Sequence, residues 1–337
     1  MNMHRGALLA FALVCAPLPA QGSVWAKLAP PTILQPGGGV TPQVCLAFDG
    51  VRGIALYTVL IGYDLYTVEW DGSAWTPRAS LRLSTMREFR FVYDTARSVF
   101  VGVTQNGSPP KTYQWNATSS TWGLLGAAFP GTGARDGFCL GYDTKRGRTV
   151  LFGGGNGTLQ AETYEFDGAT WQLRGTGGPV PRMNAPMAFD TVRNKLVLYG
   201  GETSIGTTVI LADTWEWNGL YWQEALGATA PGVRKSAGLA FDPALGKSVL
   251  VGGQTWGGGA PTGTWEWDGS TWNGDLASTQ PVGAQGTVAG VRHGARTPAP
   301  RRRLPELDRG LGLRVLAALP GGQLAAGLDR VRGRVRG

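Results

Sequence analysis

The stretch Thr264-Trp-Glu-Trp-Asp-Gly-Ser-Thr-Trp272 decides the fold, because it returns along the chain with small changes. Its other copies end at the tryptophans Trp75, Trp122, Trp171 and Trp222. Polar and apolar residues alternate in each copy, which indicates a strand with one buried face. Asp-Gly or Asn-Gly follows in all copies but the one ending at Trp122, and such pairs favour a two-residue hairpin turn. We therefore predict a second strand that begins at the final Trp.

The copies are spaced almost evenly. Counting one further residue, Trp25, the recurring tryptophans are separated by 50, 47, 49, 51 and 50 residues. A period near fifty indicates a single structural unit repeated along the chain. Of the 13 tryptophans only Trp256 falls outside the repeat positions.

A second recurring element lies upstream of each copy. It reads Leu-Ala-Phe-Asp or a close variant, and its aspartates are Asp49, Asp94, Asp143, Asp190 and Asp242. An Arg stands three residues later in four units, whereas the fifth unit has Leu245. We expect each Asp side chain to accept bonds from nearby backbone N–H groups in a turn. An apolar strand follows, and in the last three units it ends in Gly-Gly.

Four short strands per unit, with Gly-Gly after the second and Trp opening the fourth, resemble the kelch repeat. The resemblance covers roughly residues 25 to 295 and implies an all-β, galactose-oxidase-like β-propeller with five recognisable four-stranded blades plus an incomplete sixth. Its family often closes the ring with an N-terminal strand. Trp25 would then complete a sixth blade whose inner strands follow Ala295.

The resemblance does not extend to the copper site of galactose oxidase, which uses histidines. The chain has two histidines, His4 and His293, and none in the repeats. We therefore predict no metal and no cofactor. The Asp-Gly-x-x-Trp phrase also lacks the residue that sialidase Asp-boxes carry between Asp and Gly, so we interpret it as turn chemistry.

Composition divides the chain into three parts. Residues 1–20 are typical of a secretory signal, with Arg5 before the apolar run Ala7 to Val14 and an exit at Ala20. A membrane anchor is the alternative, although the run is short for a span. Residues 21–295 form the propeller, for which we expect a monomer without a membrane span. The mature protein is predicted to be secreted, periplasmic or on the cell surface.

The third part is an Arg-rich tail, residues 296–337. From Val282 onward there are 11 Arg and three acidic residues, so the whole net charge of +8 lies there and residues 1–281 are neutral. The propeller thus offers no basic face for nucleic acid. The repeat stops mid-unit near Ala295, which favours a lost reading frame over a genuine basic tail. We expect the tail to be flexible or loosely helical around Leu311 to Leu328, without a blade-like sheet.

Several recurring side chains have both a catalytic and a structural interpretation. Glutamates recur on the third strand and arginines recur eight residues before the Asp: Glu69, Glu165, Glu216 and Glu266; Arg135, Arg182 and Arg234. One carboxylate could serve as a glycosidase acid or lyase base. Identical placement in several blades favours a structural role, since catalysis usually breaks repeat symmetry. Cys45 and Cys139 share one repeat position in non-neighbouring blades and are predicted to be two buried thiols.

Symmetry is broken in the loops that follow Gly-Gly, where Trp256 stands. Exposed aromatic rings can stack on sugars or pack against a partner, and a local loop plug is the alternative. The favoured function is a non-catalytic scaffold that binds protein or carbohydrate on its loops, with Trp256 as the candidate ligand-binding residue. The alternatives are a polysaccharide-acting propeller enzyme and a truncated product without function.

Overall fold

The structure is a computed structural model that describes residues 11–18, 21–28, 43–82, 86–106, 109–131, 133–205, 207–226, 231–258, 261, 263–274, 287–288 and 314–318. Apart from one 3₁₀ turn, Trp256–Gly258, every regular element in these ranges is a strand. No helix in the described part of the chain is long and apolar enough to cross a membrane. The predicted all-β architecture is confirmed.

Five four-stranded antiparallel units follow one another along the chain. After the N-terminal strands β1 (Phe11–Leu18) and β2 (Gln21–Leu28), blade one contains β3 (Gln43–Asp49), β4 (Ile54–Ile61), β5 (Asp64–Trp70) and β6 (Trp75–Pro77), with β7 (Leu81–Arg82) also paired to β5. Blade two contains β8 (Met86–Asp94), β9 (Val99–Asn106), β10 (Lys111–Asn116) and β11 (Thr121–Leu124).

The last three blades are more alike. Blade three contains β12 (Cys139–Asp143), β13 (Arg148–Phe152), β16 (Thr163–Phe166) and β17 (Trp171–Gly175), with the small hairpin β14 (Gly155–Asn156) and β15 (Thr158–Leu159). Blade four contains β18 (Met187–Asp190), β19 (Lys195–Tyr199), β22 (Thr214–Trp217) and β23 (Trp222–Glu224), with the hairpin β20 (Glu202–Ile205) and β21 (Thr207–Ile210). Blade five contains β24 (Gly238–Asp242), β25 (Lys247–Val251), β26 (Thr264–Trp267) and β27 (Trp272–Gly274).

The blades are arranged as a propeller. Their first strands β3, β8, β12, β18 and β24 are neighbours in that order and surround one axis. The core lies between adjacent blades. Trp122 packs on Phe89 and Phe91 of its own blade, in a cluster that also contains Leu56 and Leu60 of blade one. Burial of these large rings is the main apolar contribution to the ring.

The turn that precedes each repeated Trp differs from the prediction. In blade five the loop has four residues, Asp268 to Thr271, and joins the paired residues Trp267 and Trp272. Asp268 Oδ1 accepts the backbone N–H groups of Ser270 and Thr271, both at 2.8 Å, and Gly269 has φ 102°. The predicted two-residue turn is wrong because the carboxylate holds two further residues inside the loop.

Blades one and two lack Gly-Gly, and their second strands are longer rather than weaker. β4 and β9 have eight residues each, whereas β13, β19 and β25 have five. Without the two glycines of positive φ, the strand continues directly into the next hairpin. The expected turn after the first strand is confirmed: Asp49 Oδ1 accepts the N–H groups of Val51 and Arg52.

One hydrogen bond recurs at the blade interfaces. The indole Nε1 of four repeated tryptophans donates to a threonine on the third strand of the preceding blade. The pairs are Trp122–Thr67 at 3.1 Å, Trp171–Thr112 at 2.7 Å, Trp222–Thr163 at 2.8 Å and Trp272–Thr214 at 2.9 Å. The Trp position therefore joins blades as well as filling the core.

A smaller sheet occupies the position between blades five and one. It has three strands in the order β2, β1 and β29 (Arg314–Ala318), and β29 lies beside both β24 and β3. β28 (Thr287–Val288) pairs in parallel with β3 at the same place. This sheet lies where the sequence predicts an incomplete sixth blade, and the Trp25 strand is its outermost member.

Two expectations concern the ends of the chain. The tail contributes a strand at Arg314–Ala318, so the prediction of loose helix and no sheet is wrong there, because these residues complete pairing with β1. The rest of 296–337 lies outside the described residues. Phe11–Leu18, inside the predicted signal, is a strand here, and removal of residues 1–20 stays a prediction.

Candidate functional site

The disc has two faces that differ in their loops. The upper face, as we name it, is formed by the loops between the second and third strands and by the connections between blades. It includes Trp256 and Asn184. We call lower face the one formed by the Asp turns and the Asp-Gly loops, which include Asp49 and Asp268. Antiparallel alternation along each blade places the two loop sets at opposite ends of the strands.

Trp256 lies on the upper face, as predicted. It begins the 3₁₀ turn that follows Gly252-Gly253, and Gly257 has φ 70° within that turn. The side chain is 59% exposed. Two residues earlier, Gln254 exchanges backbone hydrogen bonds with Lys235 of the incoming connection, at 2.8 and 3.0 Å. The loop is therefore anchored to its own blade while the ring stays in solvent.

A polar network on the same face was not found from the sequence. Lys235 Nζ donates to Glu202 Oε2 at 2.6 Å, and Asn184 Nδ2 donates to Glu202 Oε1 at 2.8 Å. Arg90 Nη2 donates to Asn184 Oδ1 at 3.3 Å, and its Nε donates to Glu88. These five side chains come from blades two, four and five, and they connect the upper end of the axis to the Trp256 loop.

Backbone groups extend this network around the axis. Ser236 N donates to Asn184 O at 2.8 Å, and Asn184 N donates to Gly137 O at 2.7 Å. The backbone N–H of Gly137, at the equivalent position of blade three, donates to the Glu88 carboxylate, whereas the other two N–H groups donate to a carbonyl. Asn184 and Ser236 have φ 59° and 52°, a conformation that non-glycine residues rarely adopt.

Arg90 is the most deeply placed charge of the network. It is buried, and its guanidinium lies 5.7 Å from the centre of the Phe138 ring. Burial opposes its charge, but the neighbouring Glu88 carboxylate outweighs burial and raises the pKa of Arg90. The arginine is therefore held as a fixed cation at the axis, compensated by Glu88.

The signal for this network was present in the repeat alignment. Six and four residues before the recurring Asp, blade two carries Glu88 and Arg90, whereas the same positions in blade one carry Gln43 and Cys45. The equivalent positions of the other blades carry small or neutral residues. The two opposite charges of blade two therefore break the repeat symmetry on an inner strand.

The lower face contains an apolar axial pocket of about 120 Å³. Its walls are five equivalent aromatic residues, one from each first strand: Phe48, Tyr93, Tyr142, Phe189 and Phe241. Tyr142 donates its hydroxyl hydrogen to Asp94 Oδ1 of the preceding blade at 2.6 Å. Near-identical contributions from all blades indicate ring packing rather than a specific site.

The recurring carboxylates are held in structural contacts. Glu165 accepts from Arg146 Nη1 at 2.6 Å within its blade and from Trp217 Nε1 of the next blade at 3.1 Å. Glu216 repeats the pattern with Lys195 at 2.7 Å and Trp267 at 3.0 Å. Glu266 pairs with Lys247 at 2.9 Å and Glu69 with Arg78 at 2.8 Å.

The recurring arginines do not pair with these glutamates. Each donates to the first carbonyl of the Gly-Gly pair in its own blade: Arg135 to Gly153 O at 3.0 Å, Arg182 to Gly200 O at 2.9 Å and Arg234 to Gly252 O at 3.1 Å. Their carboxylate contacts are Glu162 and Asp213. The geometry therefore supports the structural interpretation of both sets.

The cysteine prediction is confirmed for the two described side chains. Cys45 and Cys139 are free thiols, and both are buried. Burial raises the pKa of each thiol to about 11, although the nearby Arg90 charge acts in the opposite direction. Neither thiol is therefore available as a nucleophile at neutral pH.

Comparison with known proteins identifies the fold only. No protein-family model and no curated protein sequence matches the chain. The solved structure of YjhT is similar with a TM-score of 0.54 and 13% identity, covering 74% of this chain and 87% of that one. A mutant of AofleA from Arthrobotrys oligospora matches at a TM-score of 0.45 and 11% identity, covering 74% of each chain. Together with the five four-stranded blades, the likeness to YjhT shows that this chain has a β-propeller fold.

Proposed function

We propose that this protein is an exported, non-catalytic propeller that binds carbohydrate on its upper face, with Trp256 as the stacking platform. One observation carries the proposal. Among the side chains that the structure describes, Trp256 is the one exposed tryptophan, whereas those at repeat positions are buried or half-buried. An indole left in solvent by a fold that otherwise buries its indoles has no packing role to explain it.

The surroundings of Trp256 favour a sugar over an apolar ligand. Sugars present C–H faces that stack on an indole and hydroxyls that need charged or amide partners. Gln254 and the ion pair of Lys235 with Glu202 supply groups of that kind on the same face. Lys235 is partly exposed although Glu202 is nearly buried, so the remaining N–H groups of Lys235 can reach a ligand.

The contacts of the recurring glutamates favour a non-catalytic role over hydrolysis. The recurring glutamates already accept bonds from arginine, lysine or the indole of the next blade, which fixes each side chain in place. A general acid needs a carboxyl that faces the scissile bond and exchanges protons with it. Export rests on the N-terminal sequence, and a protein recovered with Gln21 as its first residue would support it.

The test is a glycan array probed with the wild-type protein and two matched variants. Trp256→Ala removes the exposed ring of the upper face, and we expect it to reduce binding by about 1–3 kcal/mol. Tyr221→Ala removes a ring of similar exposure, 57% against 59%, from an Asp-Gly-type loop of the lower face. That control should bind as the wild type does.

Thermal unfolding separates recognition from stability. We expect both variants to keep the wild-type midpoint, because neither ring is part of the core. A Trp256→Ala protein with full glycan binding would refute the platform role. A wild-type protein that binds no glycan, but captures a protein through Trp256, would replace carbohydrate with a protein ligand.

A further inference from the structure

One ion-pair arrangement of the repeat is incomplete between blades one and two. In blade three the Arg146 guanidinium holds two carboxylates, Asp143 through Nε at 2.7 Å and Glu165 through Nη1 at 2.6 Å. Blade four repeats this arrangement. In blade one, Arg52 donates through Nε to Asp49, and its terminal nitrogens meet no acceptor among the described residues. A guanidinium that binds two carboxylates in blades three and four therefore binds one here.

The glutamate of blade one lies in a different ion pair. Glu69 accepts from Arg78 at 2.8 Å, and no ion pair joins it to Arg52 in the part of the chain that the structure describes. Trp115 of blade two corresponds to Trp217, which donates to the glutamate of blade three at 3.1 Å. Trp115 Nε1 is buried and has no partner among the described residues. Two donors therefore lie at this interface without the carboxylate that binds their equivalents between blades three and four.

A pocket of about 420 Å³, which we call the blade-two pocket, lies at the same interface on the lower face. Trp115 belongs to its lining. Its other lining residues include three polar ones and three apolar ones: Arg52, Gln114 and Asn116; Val99, Leu124 and Leu125. None of the described residues that line it is acidic. A pocket of this size, apolar with a few polar groups, is typical of small-molecule sites.

The repeat position of Gln114 favours an anionic ligand in this pocket. The other four blades carry a glutamate there: Glu69, Glu165, Glu216 and Glu266. A glutamate in blade two would place a like charge beside an incoming carboxylate, whereas the amide of Gln114 offers two N–H donors. The Gln114 side chain makes no hydrogen bond to any described residue, so these donors are available to a ligand.

We propose that the blade-two pocket binds a small carboxylic acid with an apolar body. The ligand carboxylate accepts from the terminal nitrogens of Arg52, as the glutamates of blades three and four accept from their arginines, and from the Gln114 amide. The apolar body lies on Leu124 and Leu125, of which Leu124 is 59% exposed without a ligand. The pocket is on the lower face, opposite Trp256, so this inference is independent of carbohydrate binding.

Two probes that differ in charge and hardly in shape test the carboxylate. Full-length protein labelled with ¹⁵N-tryptophan is titrated with naphthylacetate and with its neutral amide, naphthylacetamide, and Trp115→Phe assigns the Trp115 indole signal. We expect the acid to shift this signal in a saturable way, to leave Trp256 in place, and to bind at least about tenfold more tightly than the amide, because only the acid makes charge-assisted hydrogen bonds. Equal affinities, or an acid that leaves Trp115 unshifted, would overturn the proposal.

A matched pair of arginine variants tests the anchor. Arg52 and Arg97 have side chains that are each 36% exposed, and each pairs with the aspartate of its own turn, but Arg97 does not line the blade-two pocket. Arg52→Gln should lower the affinity for naphthylacetate at least about tenfold, whereas Arg97→Gln should bind it as the wild type does. Both variants lose the same kind of ion pair, so we expect similar thermal midpoints. Full affinity in Arg52→Gln, or an equal loss in both variants, would contradict the site.

Discussion

At the scale of the residue, single polar side chains join neighbouring blades. Glu165 accepts hydrogen bonds from Arg146 of its own blade and from the Trp217 indole of the next, and Glu216 accepts them from Lys195 and from the Trp267 indole. A buried carboxylate with several donors is stabilised in its charged form. At these two interfaces a single glutamate therefore makes both the contact within its blade and the contact to the next blade.

Asp213 leads to a prediction of pH dependence. Burial alone would raise the pKa of this carboxyl, but Arg182, bonded at 2.6 and 2.7 Å, outweighs burial and holds the pKa below its ordinary value. A depressed pKa stabilises the fold above about pH 4, and this contribution is lost as the pH falls through the folded-state pKa. Asp213→Asn should cost about 3 kcal/mol at pH 6, because Arg182 loses its ionic partner.

Urea unfolding between pH 6 and pH 2.5 checks the sign of that effect. The difference in unfolding free energy between the wild type and Asp213→Asn should shrink as the pH falls. A difference that stays constant over this range would show that the carboxylate charge is not what stabilises Arg182.

The buried thiols give a chemical prediction. Since burial raises the pKa of both Cys45 and Cys139 to about 11, we expect neither to react with iodoacetamide in the folded protein at pH 8. Peptide-resolved mass spectrometry should find both labelled only after denaturation. Rapid labelling of either residue in the native state would contradict its place on an inner strand.

At the scale of the element, Gly-Gly is a contact between blades as well as the end of a strand. Gly201 N donates to Arg234 O of the next blade at 3.0 Å, and Gly154 N donates to Arg182 O at 2.9 Å. A Cβ on Gly200 would stand 2.5 Å from the Arg234 carbonyl oxygen. The pair is therefore required where the connection to the following blade crosses the end of the second strand.

Gly200→Ala tests this contact against a matched control. Gly157 also has positive φ, 81° against 58° for Gly200, but a Cβ there meets nothing within 4 Å. Gly157→Ala should cost about 1 kcal/mol for its conformation. Gly200→Ala should cost at least about 2 kcal/mol more, since backbone must also move. Equal losses of unfolding free energy would show that the close approach is unimportant.

Element type was easier to predict than turn geometry. Alternation in Thr264 to Trp267 and the apolar run Lys247 to Val251 each predicted a strand that the structure has. The four-residue loop after Trp267 was not predicted, because side-chain acceptance by Asp268 depends on three-dimensional geometry and not on the Asp-Gly pair alone. Strand identity is a property of local pattern, whereas turn length depends on where a carboxylate points.

At the scale of the whole molecule, the period of the tryptophans predicted the ring, because identical units must stack on one another. The place of Trp256 in a loop also followed from the sequence, since it is the tryptophan that the repeat does not use, whereas its exposure was left open against a loop plug. The network from Glu88 to Lys235 did not follow, because its members are separated by up to 147 residues of sequence and meet only when the ring forms. Apart from the charge pair Glu88 and Arg90, a site assembled from three blades has no local spacing to recognise.

The central claim is that the upper face binds carbohydrate through Trp256, and an indole spectrum tests it most directly. Protein labelled with ¹⁵N-tryptophan is titrated with the glycan that scores highest on the array, and Trp256→Ala assigns the Trp256 resonance. The account predicts that this resonance shifts in a saturable way while the signals of the buried Trp222 and Trp272 stay in place. A saturable shift that spares Trp256, or the absence of any shift at full occupancy, would contradict the account.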